Sequence, residues 1–268
     1  MPAASAPPGY FGRALHVDVG SGRSEHVHLS ERRLRDFIGG CGLGASLVLD
    51  GEAPETDALA PEAPVALVFS PLVGTPLTTS AKFAVVAKSP LSGLLNDALC
   101  SSHFAIAGKL SGNDAIVIRG RCDHPSTLIV DAAGARLEPA DALWGLPAAA
   151  AEESLRERLG PAYRVCAIGP AGERLTRFAT LSHDGRHAGR GGHGAVLGSK
   201  RLKAIAVRAS TKVGPAHPER VLRLAQGLRA ASRSAATRKY SEHGTLANLL
   251  AFNAISALPT RNFRDATF

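Results

Sequence analysis

Between Asp184 and Lys200 the chain reads DGRHAGRGGHGAVLGSK, six glycines interleaved with Arg186, His187, Arg190, His193 and Lys200. These residue types suit an anion. Glycine lets the backbone turn through positive φ and come close to a ligand, and successive N–H groups in such turns form a concave nest for phosphate oxygens. Arginines beside the nest can clamp the same oxygens through paired N–H bonds. A glycine-rich hairpin with solvated arginines is the alternative for the same composition. Two other stretches offer related chemistry. Gly39-Gly40-Cys41-Gly42-Leu43-Gly44 precedes a short helix, Ala45 to Leu49, and serves either phosphate contact or close packing. The loop SPLVGTPLTTSAK presents Thr75, Thr78, Thr79, Ser80 and Lys82, as a ligand loop or as a polar hairpin tip.

The anion-suited stretch has a second copy upstream. His103-Phe-Ala105-Ile-Ala-Gly108-Lys109 followed by Ala115-Ile-Val-Ile-Arg119 returns as His193-Gly-Ala195-Val-Leu-Gly198-Ser-Lys200 followed by Ala204-Ile-Ala-Val-Arg208. Lys82-Phe83-Ala84 pairs with Arg177-Phe178-Ala179, and Ser70-Pro71 more loosely with Gly169-Pro170. A two-fold internal duplication is expected, too few copies for a solenoid. Two related halves facing one another would present similar loops to one shared ligand with two phosphate-bearing parts.

The elements that must position these loops are mostly strands. Ala14 to Leu29 alternates through Leu15, Val17 and Val19 into a Gly20-Ser-Gly22 turn and a return strand. Ser30 caps a helix through Leu34, Phe37 and Ile38. Strands are expected over Pro61 to Phe69, Lys82 to Lys88, Asp114 to Ile118, Thr127 to Asp131, Arg164 to Ile168, Arg177 to Ser182 and Ala204 to Arg208, with Ser89 to Cys100 a mixed segment and Ala148 to Leu159 a helix. The fold class is α+β, mainly antiparallel sheet with a few helices. After Lys212 a basic helix runs from Pro218 to about Ser241, and a short one from Leu246 to Ile255. Residues 1–211 then form one domain and 212–268 the first helices of an incomplete helical one.

Composition narrows the classes. With 268 residues, 45% of them hydrophobic, the chain can bury one substantial core. A net charge of +8 points to an acidic partner. One tryptophan, three tyrosines and no aromatic interleaving in the basic stretches disfavour nucleic acid. Cys41, Cys100, Cys122 and Cys166 lie far apart without CxxC spacing, which reads as reduced thiols in a cytoplasmic protein. The Ala/Pro start lacks a signal-peptide pattern, and no apolar run reaches bilayer length. Cys41 reads as a packed residue, and His16, His26, His28, His124 and His217 as surface or satisfied strand residues. His103 and His193, at equivalent repeat positions, read as structural as readily as acid–base groups, and Asp184 as a turn cap or as a partner for Arg186 or a ligand.

From Gly9-Tyr10-Phe11-Gly12 to about Phe268 the chain resembles the amino-terminal domain of the tungsten-containing aldehyde ferredoxin oxidoreductase family. FIGGCGLGASL (Phe37 to Leu47), VVAKSPLSG (Val85 to Gly93), GNDAIVIRGR (Gly112 to Arg121), IGPAGERLTRFA (Ile168 to Ala179), DGRHAGRGGHGAVLGSKRLKAIAV (Asp184 to Val207) and LPTRNF (Leu258 to Phe263) carry the resemblance. It implies a tungsten or molybdenum ion between two pyranopterins (a bis-molybdopterin-type cofactor), magnesium bridging their phosphates, aldehyde oxidation to acids, and electron transfer through a 4Fe-4S iron-sulfur cluster to ferredoxin. Carried over by position, the cofactor contacts fall on Lys82, Leu99, Ser101, Arg186, His187, Gly189 and Arg190, with the magnesium-bridging carbonyls on Leu99 and His187. Lys82 replaces the family's arginine, and Leu99-Cys100-Ser101-Ser102 replaces an asparagine followed by glycines. No catalytic residue and no protein ligand to tungsten is implied within this chain. The cluster-binding cysteines would lie beyond the LPTRNF-like segment, and none of the four cysteines has their spacing. The resemblance therefore implies the pterin-binding amino-terminal part of an oxidoreductase, either a truncated product or one half of a split enzyme whose missing domains a second chain supplies. The alternative is a non-catalytic relative that keeps the scaffold.

Overall fold

The computed structural model describes residues 6–50, 55–212 and 214–268. Alternating apolar residues build β1 (Arg13–Asp18), and Gly22 at positive φ turns the chain into β2 (Arg23–His28). Ser30 accepts a hydrogen bond from the Arg33 N–H and starts α1 (Glu31–Phe37). α2 (Gly40–Leu49) begins five residues before the expected Ala45, since Gly42 and Gly44 lie inside the helix and Gly44 packs against Val86. β3 (Val65–Phe69), β4 (Lys82–Lys88), β5 (Leu95–Ser101), α3 (His103–Leu110) and β6 (Ala115–Arg119) complete the first half. β5 is a full strand where the sequence shows a mixed segment. Its outward positions include the exposed Leu95 and Leu99, so the alternation that marks a half-buried strand is blurred.

The second half repeats the first. It contains β7 (Ser126–Asp131), β8 (Gly134–Pro139), α4 (Ala148–Leu159), β9 (Tyr163–Ala167), α5 (Pro170–Glu173), β10 (Leu181–His183), β11 (Arg186–Ala188), α6 (His193–Ser199) and β12 (Leu202–Arg208). The sheets run β2-β1-β6-β3-β4-β5 and β8-β7-β12-β9-β10-β11, the same order strand for strand. In each, one central pair is parallel, β1 with β6 and β7 with β12, and every other neighbouring pair is antiparallel. The duplication and the mainly antiparallel α+β class are thus present in the topology. One expected equivalence is corrected: the counterpart of β4 is β10, and the ladder register sets Ala84 against Ser182, so Lys82 matches Thr180, and Arg177 lies in the turn before that strand.

Packing explains why the central strands read as unbroken apolar runs. Val65, Leu67 and Phe69 face a central core, while Ala66 and Val68 face α2. In the second sheet Leu128 and Val130 face the same central core, and Ile129 joins Ala151 and Leu155 of α4. Both faces of each sheet are covered, which removes the polar alternation. The layers run α1 and α2, first sheet, α3 with α6, second sheet, α4. α3 touches β9 and β12 of the second sheet, and α6 touches β3 and β4 of the first. Lys109 pairs with Asp114 in the interior, and the Asp114 carboxylate also accepts the Gly12 N–H at 2.7 Å. Lys200, counted above among the anion-suited residues, is fully buried instead: its Nζ donates to the Pro61 carbonyl at 3.0 Å, and burial pulls its pKa down to about 8.

The chain divides into two compact units, Met1–Thr75 with Thr79–Pro218, and Pro76–Thr78 with Glu219–Phe268. The second contains most of α7 (Pro218–Ala231), then α8 (Ala235–His243), a 3₁₀ segment and α9 (Leu249–Ala254). The basic helix expected to run to Ser241 breaks after Ala231, where Ser232 turns its hydroxyl onto the Arg229 carbonyl. Leu222, Leu224, Leu228, Leu250 and Ile255 remain exposed in this unit. Among the described residues no helix is long and apolar enough to cross a membrane.

Close approach within the core rests on small residues. A Cβ on Gly198 would lie 2.0 Å from the Gly172 carbonyl oxygen, a backbone atom that cannot swing away. Gly198→Ala should therefore destabilise the chain by about 1–3 kcal/mol despite alanine's higher helix propensity. An unchanged or raised midpoint in urea unfolding would contradict this packing.

Candidate functional site

The predicted site residues sit on the edges of the two sheets. Lys82 begins β4 and pairs across the ladder with Ser101 at the end of β5, and Leu99, opposite Ala84, is 54% exposed on the same edge strand. Arg186 and His187 lie on β11, the corresponding edge of the second sheet, opposite His183 and Ser182. Gly189 and Arg190 follow in the loop to α6. β5 and β11 neighbour each other. The first-half and second-half residues, about ninety positions apart in the chain, therefore meet along one seam.

Local chemistry shapes the second-half side. Asp184 and Gly185, at φ 45° and 68°, form the tight turn between β10 and β11, where aspartate and glycine tolerate the left-handed region. Ser182 Oγ lies 2.9 Å from His187 Nδ1 and orients that ring. Gly191 and Gly192 are also left-handed, at φ 83° and 72°. A Cβ on Gly191 would fall 2.0 Å from Asn96 Oδ1, so the loop is pressed onto β5 and admits only glycine there.

Charge and hydrogen-bonding capacity converge on this seam. Among the described residues, Lys82, Arg177, Arg186 and Arg190 are exposed and have no carboxylate within ion-pair distance. Several other arginines are paired, as in Arg158 with Glu138 at 2.5 Å. The backbone N–H groups of Gly189, Arg190, Gly191 and Gly192 likewise donate to no acceptor among the described residues. Free N–H groups in left-handed turns beside unpaired guanidinium groups can hold phosphate oxygens. A phosphate-bearing cofactor that brings its own metal ligands fits this donor set. No cluster of three or more His, Cys, Asp or Glu that could hold a metal ion occurs among the described residues.

Other candidates fall outside the seam's chemistry. His103 is exposed at the start of α3, whereas its counterpart His193 is fully buried with neither ring nitrogen partnered. His16, expected to be satisfied, keeps a buried Nε2 without a partner. Cys41 donates to Asp97 at 2.9 Å, and burial together with that carboxylate pushes its thiol up to about 11, which removes it as a nucleophile at neutral pH. Three residues escaped sequence reasoning: Asn96, against the glycine loop; Glu152, whose carboxylate accepts the Asp184 N–H at 3.2 Å; and His183, buried with Phe83 at 5.1 Å and Phe104 at 6.3 Å. Only the histidine carried a signal, its place beside the DGR turn. An open cavity of about 660 Å³ behind that turn is lined by Glu152, Glu153, Arg156, Glu157, Asp184 and Gly185.

Burial holds His183 and His193 at pKa about 4, below the usual value near 6.5. Between those values the unfolded chain binds more protons than the folded one, so stability falls as pH drops from about 6.5 to about 4 and is unaffected above that window. Each histidine should cost on the order of 3 kcal/mol by pH 4. His183→Leu and His193→Leu should each flatten the loss, measured as urea midpoints at pH 7 and pH 4.5. An unaltered slope in both would show that neither imidazole is the acid-sensitive group.

Residues 14–209 match the family model described as aldehyde ferredoxin oxidoreductase, N-terminal domain. A tungsten-containing aldehyde ferredoxin oxidoreductase of Pyrococcus abyssi is 33% identical over 264 residues, 97% of this chain and 44% of that protein. One from Pyrococcus furiosus is 36% identical over 207 residues, 76% of this chain and 34% of its own length. Among solved structures, the active site complex BamBC of benzoyl coenzyme A reductase, in complex with 1,5 dienoyl-CoA, superposes with a TM-score of 0.82 at 29% identity, covering 88% of this chain and 36% of that one. The chain thus spans less than half the length of the relatives it matches. The family-model match over residues 14–209, 33% identity along 97% of its length and a shared fold place this chain in the tungsten-containing aldehyde ferredoxin oxidoreductase family, as a counterpart of the amino-terminal domain.

Proposed function

We propose that the seam between β5 and β11 holds the phosphate-bearing pterins of a tungsten or molybdenum cofactor, and that this chain is the pterin-binding part of an oxidoreductase. One observation carries the reading. The unengaged N–H groups of Gly189 to Gly192 lie beside Arg186 and Arg190, on an edge adjoining Lys82 and Ser101, with no carboxylate paired to any of those cations. Arg186 and Arg190 would take phosphate oxygens through two N–H bonds each, whereas Lys82 offers a single point charge. Gly189, with open space where a Cβ would stand, and Ser101 would let the pterin approach the backbone. The carbonyls of His187 and Leu99 would hold the magnesium ion that accompanies the cofactor. The bound cofactor would supply the redox chemistry at its metal; the protein residues named here bind and orient it and balance its charge. Oxidation of an aldehyde to an acid, with electrons leaving through a 4Fe-4S cluster to ferredoxin, belongs to the proposal at the level of the whole enzyme. Parts beyond this chain's matched share would supply the cluster.

The scaffold reading, a relative that no longer holds the cofactor, draws on a different observation. Leu99 presents a 54% exposed apolar side chain on the first-half edge. Metal and pterin analysis separates the two. Elemental mass spectrometry and fluorescence of oxidised pterin on the purified chain should find tungsten or molybdenum together with pterin, both lost in an Arg186→Ala/Arg190→Ala variant. A folded chain with neither, after expression in a host that makes the cofactor, would support the scaffold reading instead.

A further inference from the structure

The strands that carry the candidate residues belong to different sheets, and no ladder hydrogen bonds join β5 to β11. We propose that Asp184 is the positioning residue of the seam: its carboxylate fastens the arginine-bearing β10–β11 hairpin to the start of α3, and thereby sets Arg186 against β5. The positioning role rests on the anion-binding reading above.

Asp184 Oδ2 accepts the Phe104 N–H at 3.1 Å, across eighty residues of sequence, and Ser102 Oγ reaches the same N–H at 3.1 Å. That N–H lies in the first turn of α3, where helix donors lack an internal partner and a carboxylate is favoured by the helix dipole. α3 begins two residues after Ser101, the last residue of β5. Fastening Asp184 to Phe104 is therefore fastening the hairpin next to the end of β5. The turn is gripped from behind as well, since the Asp184 N–H points between the Glu152 carboxylate oxygens at 3.2 and 3.3 Å. Two residues further along the hairpin stands Arg186.

The opposite hairpin makes the corresponding contact without charge. Pro90, at the β4–β5 turn, lies against Gly192 just before α6, so that a Cβ on that glycine would come within 3.1 Å of the proline ring. α6 has no side-chain cap. Each hairpin tip thus meets the start of the other half's helix, but only Asp184 makes the junction with a directional, charge-assisted bond. It is the only one of the two contacts that a single side-chain atom can release.

Asp184→Gly removes the carboxylate and keeps a residue at ease at positive φ, whereas Asp184→Asn keeps both the turn and an acceptor oxygen. Two quantities are read on the full chain: amide hydrogen exchange at Phe104, and the affinity for inorganic pyrophosphate by titration calorimetry. Asp184→Gly should raise exchange and weaken pyrophosphate by about tenfold each, and Asp184→Asn should recover most of both. In an Arg186→Ala background Asp184→Gly should no longer change pyrophosphate affinity, because Asp184 acts through that arginine. Unchanged exchange at Phe104 overturns the fastening. Faster exchange with unchanged pyrophosphate affinity overturns the positioning role and leaves the anion site standing. A wild-type chain that does not bind pyrophosphate removes both the anion site and the role built on it.

Discussion

Neither sheet can close its own core, and the rest of the structure follows from that constraint. The inner faces of both sheets are apolar across their central strands, and the layer of α3 and α6 lies between them. α3 comes from the first half yet touches the second sheet, and α6 does the reverse. Burial of Phe104, Val196 and Leu197 in one shared cluster makes the two halves a single cooperative unit. The seam is a consequence. With the sheets stacked about a shared helical layer, the free edges of their equivalent outer strands meet, and loops that would otherwise be solvent-exposed hairpin ends become the walls of one site.

That origin explains which parts of the fold can be read from the sequence. β4 and α4 have the bounds their patterns predict, because β4 is an unbroken apolar run between two lysines, buried on both faces, and α4 buries one stripe through Ala151 and Leu155. β5 and β11 do not, because they are edge strands whose outward residues serve the seam and not a core. Exposed Leu99 and Arg186 break the alternation that would identify a strand, and a three-residue β11 leaves no period to detect. The glycines of α2 mislead for a related reason. Glycine weakens an isolated helix, yet here close packing against the sheet favours residues without side chains.

The site was legible in composition more than in geometry. Arg186, His187, Gly189 and Arg190 stand out because glycine and arginine are interleaved, and they do lie together. Leu99 was reachable only through resemblance, since nothing in its own neighbourhood marks it, whereas the hydroxyl-rich loop before Lys82 marks that residue. Lys200 and His193 show the limit of the method. They share the motif with Arg186, but the helical turn that starts at His193 carries both into the interior, where a lysine needs carbonyl partners and a histidine stays neutral.

The two halves are equivalent in topology and unequal in charge, and the inequality bears on how a symmetric ligand would bind. The second half contributes Arg186, Arg190 and four unengaged N–H groups, while the first contributes Lys82 and a serine beside an exposed leucine. Guanidinium forks hold phosphate oxygens in fixed directions, and an ammonium on a flexible stem does not. A ligand with two similar anionic ends would therefore be anchored firmly at the β11 edge and loosely at the β5 edge. The benzoyl coenzyme A reductase complex shares this fold at a TM-score of 0.82, though its name records a different substrate from that of the aldehyde-oxidising relatives. If the seam holds a cofactor as proposed, one architecture can serve different substrates only where it touches the cofactor and little else. The seam described here, built from backbone donors and exposed cations, has that character.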